Sequence, residues 1–88
     1  MTYEIELLPS ARRALTHDLP EGAAAAAWEF ISGPLAADPH RVGKPLRFEF
    51  EGYRSARRGA YRVIYQILED RVVVQVVRID HRRDVYRR

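Results

Sequence analysis

With 88 residues, 47% of them hydrophobic and 31% charged, the chain has the make-up of one folded domain spanning 1–88 with a single modest core, not of a disordered or collagen-like protein. The formal net charge is +3, there is no cysteine to build a disulfide framework, and the longest apolar run, Ala23 to Trp28, falls far short of the ~20 residues a bilayer-spanning helix needs. The start MTYEIELL carries acids where a signal peptide carries cations, so the expectation is a cytoplasmic protein with no membrane partner; His17, His40 and His81 are too scattered to imply zinc, and no cofactor is implied.

Tyr3, Ile5 and Leu7 alternate with Glu4 and Glu6 at period two, which predicts a half-buried first strand that Pro9 stops. Ser10 is placed to cap a short helix from Ala11 to about His17, ending near Leu19-Pro20. A second helix is expected from Glu21 to Ser32, with Ala24, Ala27, Trp28 and Ile31 on one face and Gly33-Pro34 breaking it. The five consecutive alanines favour that helix and give it a small face on which a sheet can approach closely. Residues 33–45, rich in Gly and Pro, read as a loop with room for a helical turn at Leu35 to Asp38. Strands follow at Leu46 to Phe50, Tyr53 to Arg58, Tyr61 to Leu68 and Val72 to Asp80, with turns at Gly59-Ala60 and Glu69-Asp70. This order predicts an α+β fold, a small antiparallel β-sheet packed against two N-terminal helices.

The net charge hides an asymmetry. Residues 1–51 hold five Lys/Arg against eight Asp/Glu, a net of −3, whereas residues 52–88 hold ten Arg against four acids, a net of +6. Every cation of the second block is Arg, whose planar fork matches phosphate bidentately and stacks on bases. That favours nucleic acid over a membrane surface; the competing reading is a solubilising surface in a GC-rich genome.

A two-residue Glu69-Asp70 loop pairs residues whose numbers sum to 139. One side of the hairpin then carries Tyr61, Val63, Tyr65 and Ile67 with Val72, Val74, Val76 and Arg78, and is expected to pack under the helices. The other carries Arg62, Ile64, Gln66 and Leu68 with Arg71, Val73, Gln75, Val77 and Ile79, and His81 continues its parity. An Arg between Tyr61 and Val63 needs an anion for its guanidinium. Glu49, Glu51 or Asp84 would satisfy it structurally, and a phosphate functionally. The sequence contains no Ser-His-Asp or Cys-His set, no Gly-rich phosphate loop and no carboxylate pair at a defensible spacing. RNA cleavage by the neighbouring 2′-hydroxyl needs none of these, because the substrate brings its own nucleophile and Arg, His and Tyr suffice to orient it, move protons and stabilise the phosphate.

LRFEFEGYRSARRGAYRVIYQI followed by VVVQVVRIDHRRDVYR closely resembles the RelE family of bacterial toxins within the RelE/ParE superfamily, and the likeness reaches the N-terminal strand and helical pair. The resemblance implies a small antiparallel sheet on N-terminal helices and a ribosome-dependent endonuclease that cuts messenger RNA in the ribosomal A site. It also implies a cognate antitoxin of RelB/Phd-like type, with DNA reached only through that antitoxin. On the matching motifs, Arg62 is the transition-state phosphate ligand and Tyr86 orients or activates the attacking hydroxyl. Arg82 falls on the leaving-group or phosphate contact, and His81 before it is a candidate general acid or base. Arg54, Arg57, Arg58 and Arg83 are the expected RNA- and phosphate-binding set. Arg stands where the family alternates Lys, and Ala56 interrupts the alternation, so electrostatic positioning is expected there in place of proton transfer. The alternative is a ParE-like toxin that inhibits DNA gyrase and cuts nothing; a third reading is a chain that only binds its antitoxin.

Overall fold

The structure, a computed structural model, describes residues 2–81. Arg82, Arg83 and Tyr86 lie outside the described residues. Five strands form one sheet in the order β1-β5-β4-β3-β2, where β1 is Glu4–Leu7, β2 Lys44–Pro45, β3 Arg54–Arg58, β4 Tyr61–Leu68 and β5 Val73–His81. Neighbours from β2 to β5 run antiparallel, while β1 lies parallel to β5, from Glu4 opposite Val73 to Leu7 opposite Val76. The expected α+β architecture is present, with a parallel edge strand added.

Helix α1, Pro9–Arg13, starts on Pro9, whose missing N–H is no loss in a first turn, and Leu8 rather than Ser10 occupies the capping position. It widens into a π-type turn over Ala14–Asp18, closed by Leu19 N–H donating to the Ala14 carbonyl at 2.9 Å. Helix α2, Glu21–Phe30, is not broken at Gly33-Pro34. A second wide turn, Ile31–Leu35, holds Pro34 inside the helical path, because the longer hydrogen-bonded ring relieves the clash a proline ring makes in a regular helix. The buried side of this path is Ala27, Phe30, Ile31 and Leu35; Trp28, expected on that face, is 44% exposed. Helix α3, Pro39–Val42, leads into β2.

The expected strand at Leu46 to Phe50 is instead a 3₁₀ turn, Phe48–Phe50, in which Phe48 has φ 61° and is 87% exposed. On this edge Lys44 lies opposite Ser55 and Pro45 opposite Arg54, and one further backbone bond, Leu46 N–H donating to the Tyr53 carbonyl at 2.9 Å, precedes the turn.

The core lies between the helices and one face of the sheet, where Val63, Tyr65, Val74 and Val76 meet Ile31 and Leu35, all fully buried. In β4 the buried positions are odd-numbered, as the alternation predicts. The β4–β5 connection is longer than a two-residue loop: a 3₁₀ turn at Glu69–Arg71 and a left-handed Val72 place Leu68 opposite Val73. That is a shift of two residues, which conserves the faces of Val74 and Val76. A bulge then intervenes. Tyr65 pairs with Val76 but Ile64 pairs with Arg78, so one extra residue enters β5 and burial switches from even positions to odd Ile79.

Candidate functional site

The bulge rearranges the face on which the cations sit. Beyond it Val63 opposes Ile79, Arg62 opposes Asp80 and Tyr61 opposes His81. The expectation that Ile79 and His81 share the open face with Arg62 is therefore corrected: Ile79 is buried in the core, and His81 stands opposite buried Tyr61 on the helix-facing parity. Arg78, expected under the helices, moves to the open face beside Ile64, and Asp80 joins it there.

On β3, Arg57 lies directly opposite Arg62, so Arg57, Arg62 and Asp80 form one row across three strands. Arg78 folds onto Asp80 along its own strand, Nε donating to Oδ1 at 2.8 Å and Nη2 to Oδ2 at 3.0 Å. This fork raises the Arg78 pKa, mainly through the hydrogen bond and then through the Asp80 charge. Among the described residues neither Glu49 nor Glu51 pairs with Arg62. Away from this row the open face becomes neutral and then acidic: Gln66 opposes Gln75, whose side-chain amide donates to Glu6 at 3.0 Å.

The sheet divides the expected phosphate-binding set. Arg54 faces the helix side, where its Nη2 donates to the His40 carbonyl at 2.8 Å and the Gly43 carbonyl at 3.2 Å. Arg58 also faces that side, with its guanidinium carbon 4.5 Å from the Phe30 ring centroid. Only Arg57 of the β3 arginines shares the face of Arg62. Arg78 and Asp80 were not found from sequence, yet a signal existed: an Arg closing a column of Val72, Val74 and Val76 does not fit a packed face, and it marks a change of register. Among the described residues no group of three or more His, Asp or Glu is placed to hold a metal, and no helix is long and apolar enough to cross a membrane.

The fold and this face define a small α+β domain that presents an arginine row on one side of its sheet. The chain belongs to the ParE toxin family of type II toxin–antitoxin systems, whose family model it matches over residues 7–86, and it is of RelE type within it. It is 49% identical to Toxin RelG of Mycobacterium tuberculosis over 88 residues, all of both chains. It is 47% identical to Toxin RelE of the same organism over 85 residues, 97% of this chain and 87% of that one. Its fold superposes with a TM-score of 0.90 on the crystal structure of the toxin–antitoxin complex RelBE2 from M. tuberculosis, at 46% identity, covering 93% of this chain and all of that one. A free-state mutant of E. coli toxin RelE shares the fold at a TM-score of 0.74 and 18% identity, covering 92% of this chain and 84% of that one.

Proposed function

We propose that this toxin is a ribosome-dependent messenger RNA endonuclease, and the observation that carries the reading is Arg62 standing on the open face beside Arg57, in a chain nearly half identical to proteins named Toxin RelG and Toxin RelE. In the proposed reaction the 2′-oxygen attacks the adjacent phosphorus, its proton passes to a base, and the 5′-oxygen of the next nucleotide leaves with a proton. The products are a 2′,3′-cyclic phosphate and a 5′-hydroxyl. Arg62 holds the charge that grows on the non-bridging oxygens, and Arg57 supplies a second cation on the same row. Tyr86 orients the attacking hydroxyl and Arg82 contacts the leaving side or the phosphate. His81, at the C-terminal end of β5 and on the parity of buried Tyr61, is the candidate general acid or base. A cognate antitoxin neutralises the toxin, as the toxin–antitoxin complex of the 46% identical relative suggests, and the cytoplasm, where messages are translated, is its place of action.

The test is cleavage on programmed ribosomes. Removing one preorganised donor of this kind costs ~10²- to 10³-fold in rate, so Arg62→Ala is expected to lose that much while Arg62→Lys recovers part of it. The charge is on the open side, so a thermal melt is expected to move by no more than about 1 kcal/mol in stability. A folded Arg62→Ala protein cutting at the parental rate would remove Arg62 from the mechanism. Intact messages together with loss of gyrase-dependent supercoiling would replace this reading with the ParE-like one.

A further inference from the structure

We infer that Arg78 is a positioning residue that keeps Arg62 available, by occupying the carboxylate that, among the described residues, stands directly opposite it; this rests on the nuclease reading above. Arg62 and Asp80 are direct cross-strand partners on the open face, a placement in which side chains sit about 5 Å apart at Cβ and opposite charges attract. Left to itself, Asp80 would be the natural partner of Arg62. Yet both Asp80 oxygens are taken by Arg78 in a bidentate fork, at 2.8 and 3.0 Å, and among the described residues Arg62 makes no ion pair. The Asp80 side chain is 24% exposed and that of Arg78 62% exposed, so the carboxylate is the more fixed member and Arg78 reaches in from solvent to cover it.

The bulge is what creates both the hazard and its remedy. By adding one residue to β5 it turns Asp80 toward Arg62 and, two positions earlier, turns Arg78 toward the same face, where an i, i+2 pair on a strand can close. The local charge is then two guanidinium groups, on Arg57 and Arg62, facing outward with the acid already neutralised. A phosphate entering the row meets an Asp80 whose carboxylate is already engaged by Arg78.

The sign of the effect distinguishes this role from direct RNA contact by Arg78. Arg78→Ala frees Asp80 to pair with Arg62 and is expected to slow single-turnover cleavage about three- to fivefold, the size of a partly exposed ion pair. Arg78→Ala combined with Asp80→Ala is expected to restore the parental rate, although it removes a further side chain. The single Asp80→Ala is expected to leave the rate within about twofold of parental. A readout free of catalysis follows solvent exchange of the Arg62 Nε–H by NMR in the full-length toxin. Exchange should slow in Arg78→Ala and return to the parental rate in the double variant. No slowing in Arg78→Ala would overturn the inference, whether or not the protein cuts RNA. A double variant as slow in cleavage as Arg78→Ala would also overturn it, and would make Arg78 an RNA contact. Failure of the parental protein to cut, with the exchange pattern as expected, would sink the nuclease reading and leave the Arg78–Asp80–Arg62 relation standing.

Discussion

At the scale of single residues, segment 38–45 is held to the sheet by a polar knot around Tyr65. Its fully buried ring sends Oη to donate to the Pro39 carbonyl at 2.6 Å, and Arg54 binds the His40 and Gly43 carbonyls alongside. Gly43 is there because nothing larger fits: a Cβ would run into the Tyr65 hydroxyl and come within 2.9 Å of the Ser55 carbonyl. Gly43→Ala is therefore expected to destabilise the fold by about 1–3 kcal/mol, read as a lower denaturant midpoint, since neither obstacle is the free end of a flexible chain. The same knot sets a pH dependence. Burial pushes the Tyr65 phenol above the usual 10.0, against a smaller opposing effect of Arg54, and burial likewise raises Tyr61, whose Oη donates to the Ala26 carbonyl. A raised folded-state value means that the neutral phenol favours the native state. The contribution is complete below the unfolded value of 10.0 and is lost as pH climbs through the folded one. Chemical denaturation between pH 8 and 11 is expected to show flat stability followed by a fall. Tyr65→Phe should make that fall shallower while costing about 1–3 kcal/mol at neutral pH, because the Pro39 carbonyl is left buried and unpaired. A fall that begins below pH 9 would point to other groups.

At the scale of elements, the β4–β5 ladder shows what alternation can and cannot reveal. The faces of β4 were legible because Tyr61, Val63 and Tyr65 alternate with Arg62, Ile64 and Gln66, and the misjudged turn cost two residues, which conserves parity. The bulge was not legible, because Val73, Val74, Val76 and Val77 satisfy either face and only Arg78 betrays the switch. The helical path through Pro34 was hidden for another reason: a wide turn leaves no mark in a local pattern, and Gly-Pro ordinarily stops a helix. Trp28 was misplaced because the expected stripe did not include Phe30, which is buried in its stead. The bulge carries its own prediction. Deleting Val77 should regularise β5, with Val74 and Val76 still buried, Arg78 outward, Ile79 inward and Asp80 opposite Arg62. That variant is expected to fold, losing about 1–2 kcal/mol for a half-buried valine and altered twist. Deleting Ile64 from β4 removes a residue only one methylene larger but inverts Arg62 and Val63, pressing a guanidinium into the core and turning the valine outward. It is expected not to fold. Equal melting temperatures for the two deletions would refute the register argument.

At the scale of the whole molecule, charge is distributed so that approach of a partner has a preferred direction. The net of −3 over residues 1–51 and +6 over residues 52–88 follows the chain from the helices into the strands, and Arg57, Arg62 and Arg78 share the sheet face that the helices leave open. Apolar surface on the same face is modest: Ile64 and Leu68 are half-buried, and Val73, expected to lie open, is 6% exposed. The larger exposed apolar groups are Phe48, Phe50 and Trp28, the last bordering a recess lined by Leu7, Leu15 and Ala24. An antitoxin covering this toxin should thus combine carboxylates for the arginine face with apolar side chains for these groups. The two contributions separate kinetically. Long-range attraction acts on the encounter and is screened beyond about 10 Å at 0.1 M salt, whereas apolar burial governs the lifetime of the complex. Association of the purified toxin with its antitoxin is expected to slow roughly tenfold between low and physiological ionic strength, with the dissociation rate changing much less. Arg57→Ala should reduce both the association rate and its salt slope, because it removes a cation from the open face without touching the core. Trp28→Ala should leave the slope unchanged and shorten the lifetime if the recess is covered. Association indifferent to ionic strength would show that the arginine face plays no part in antitoxin capture.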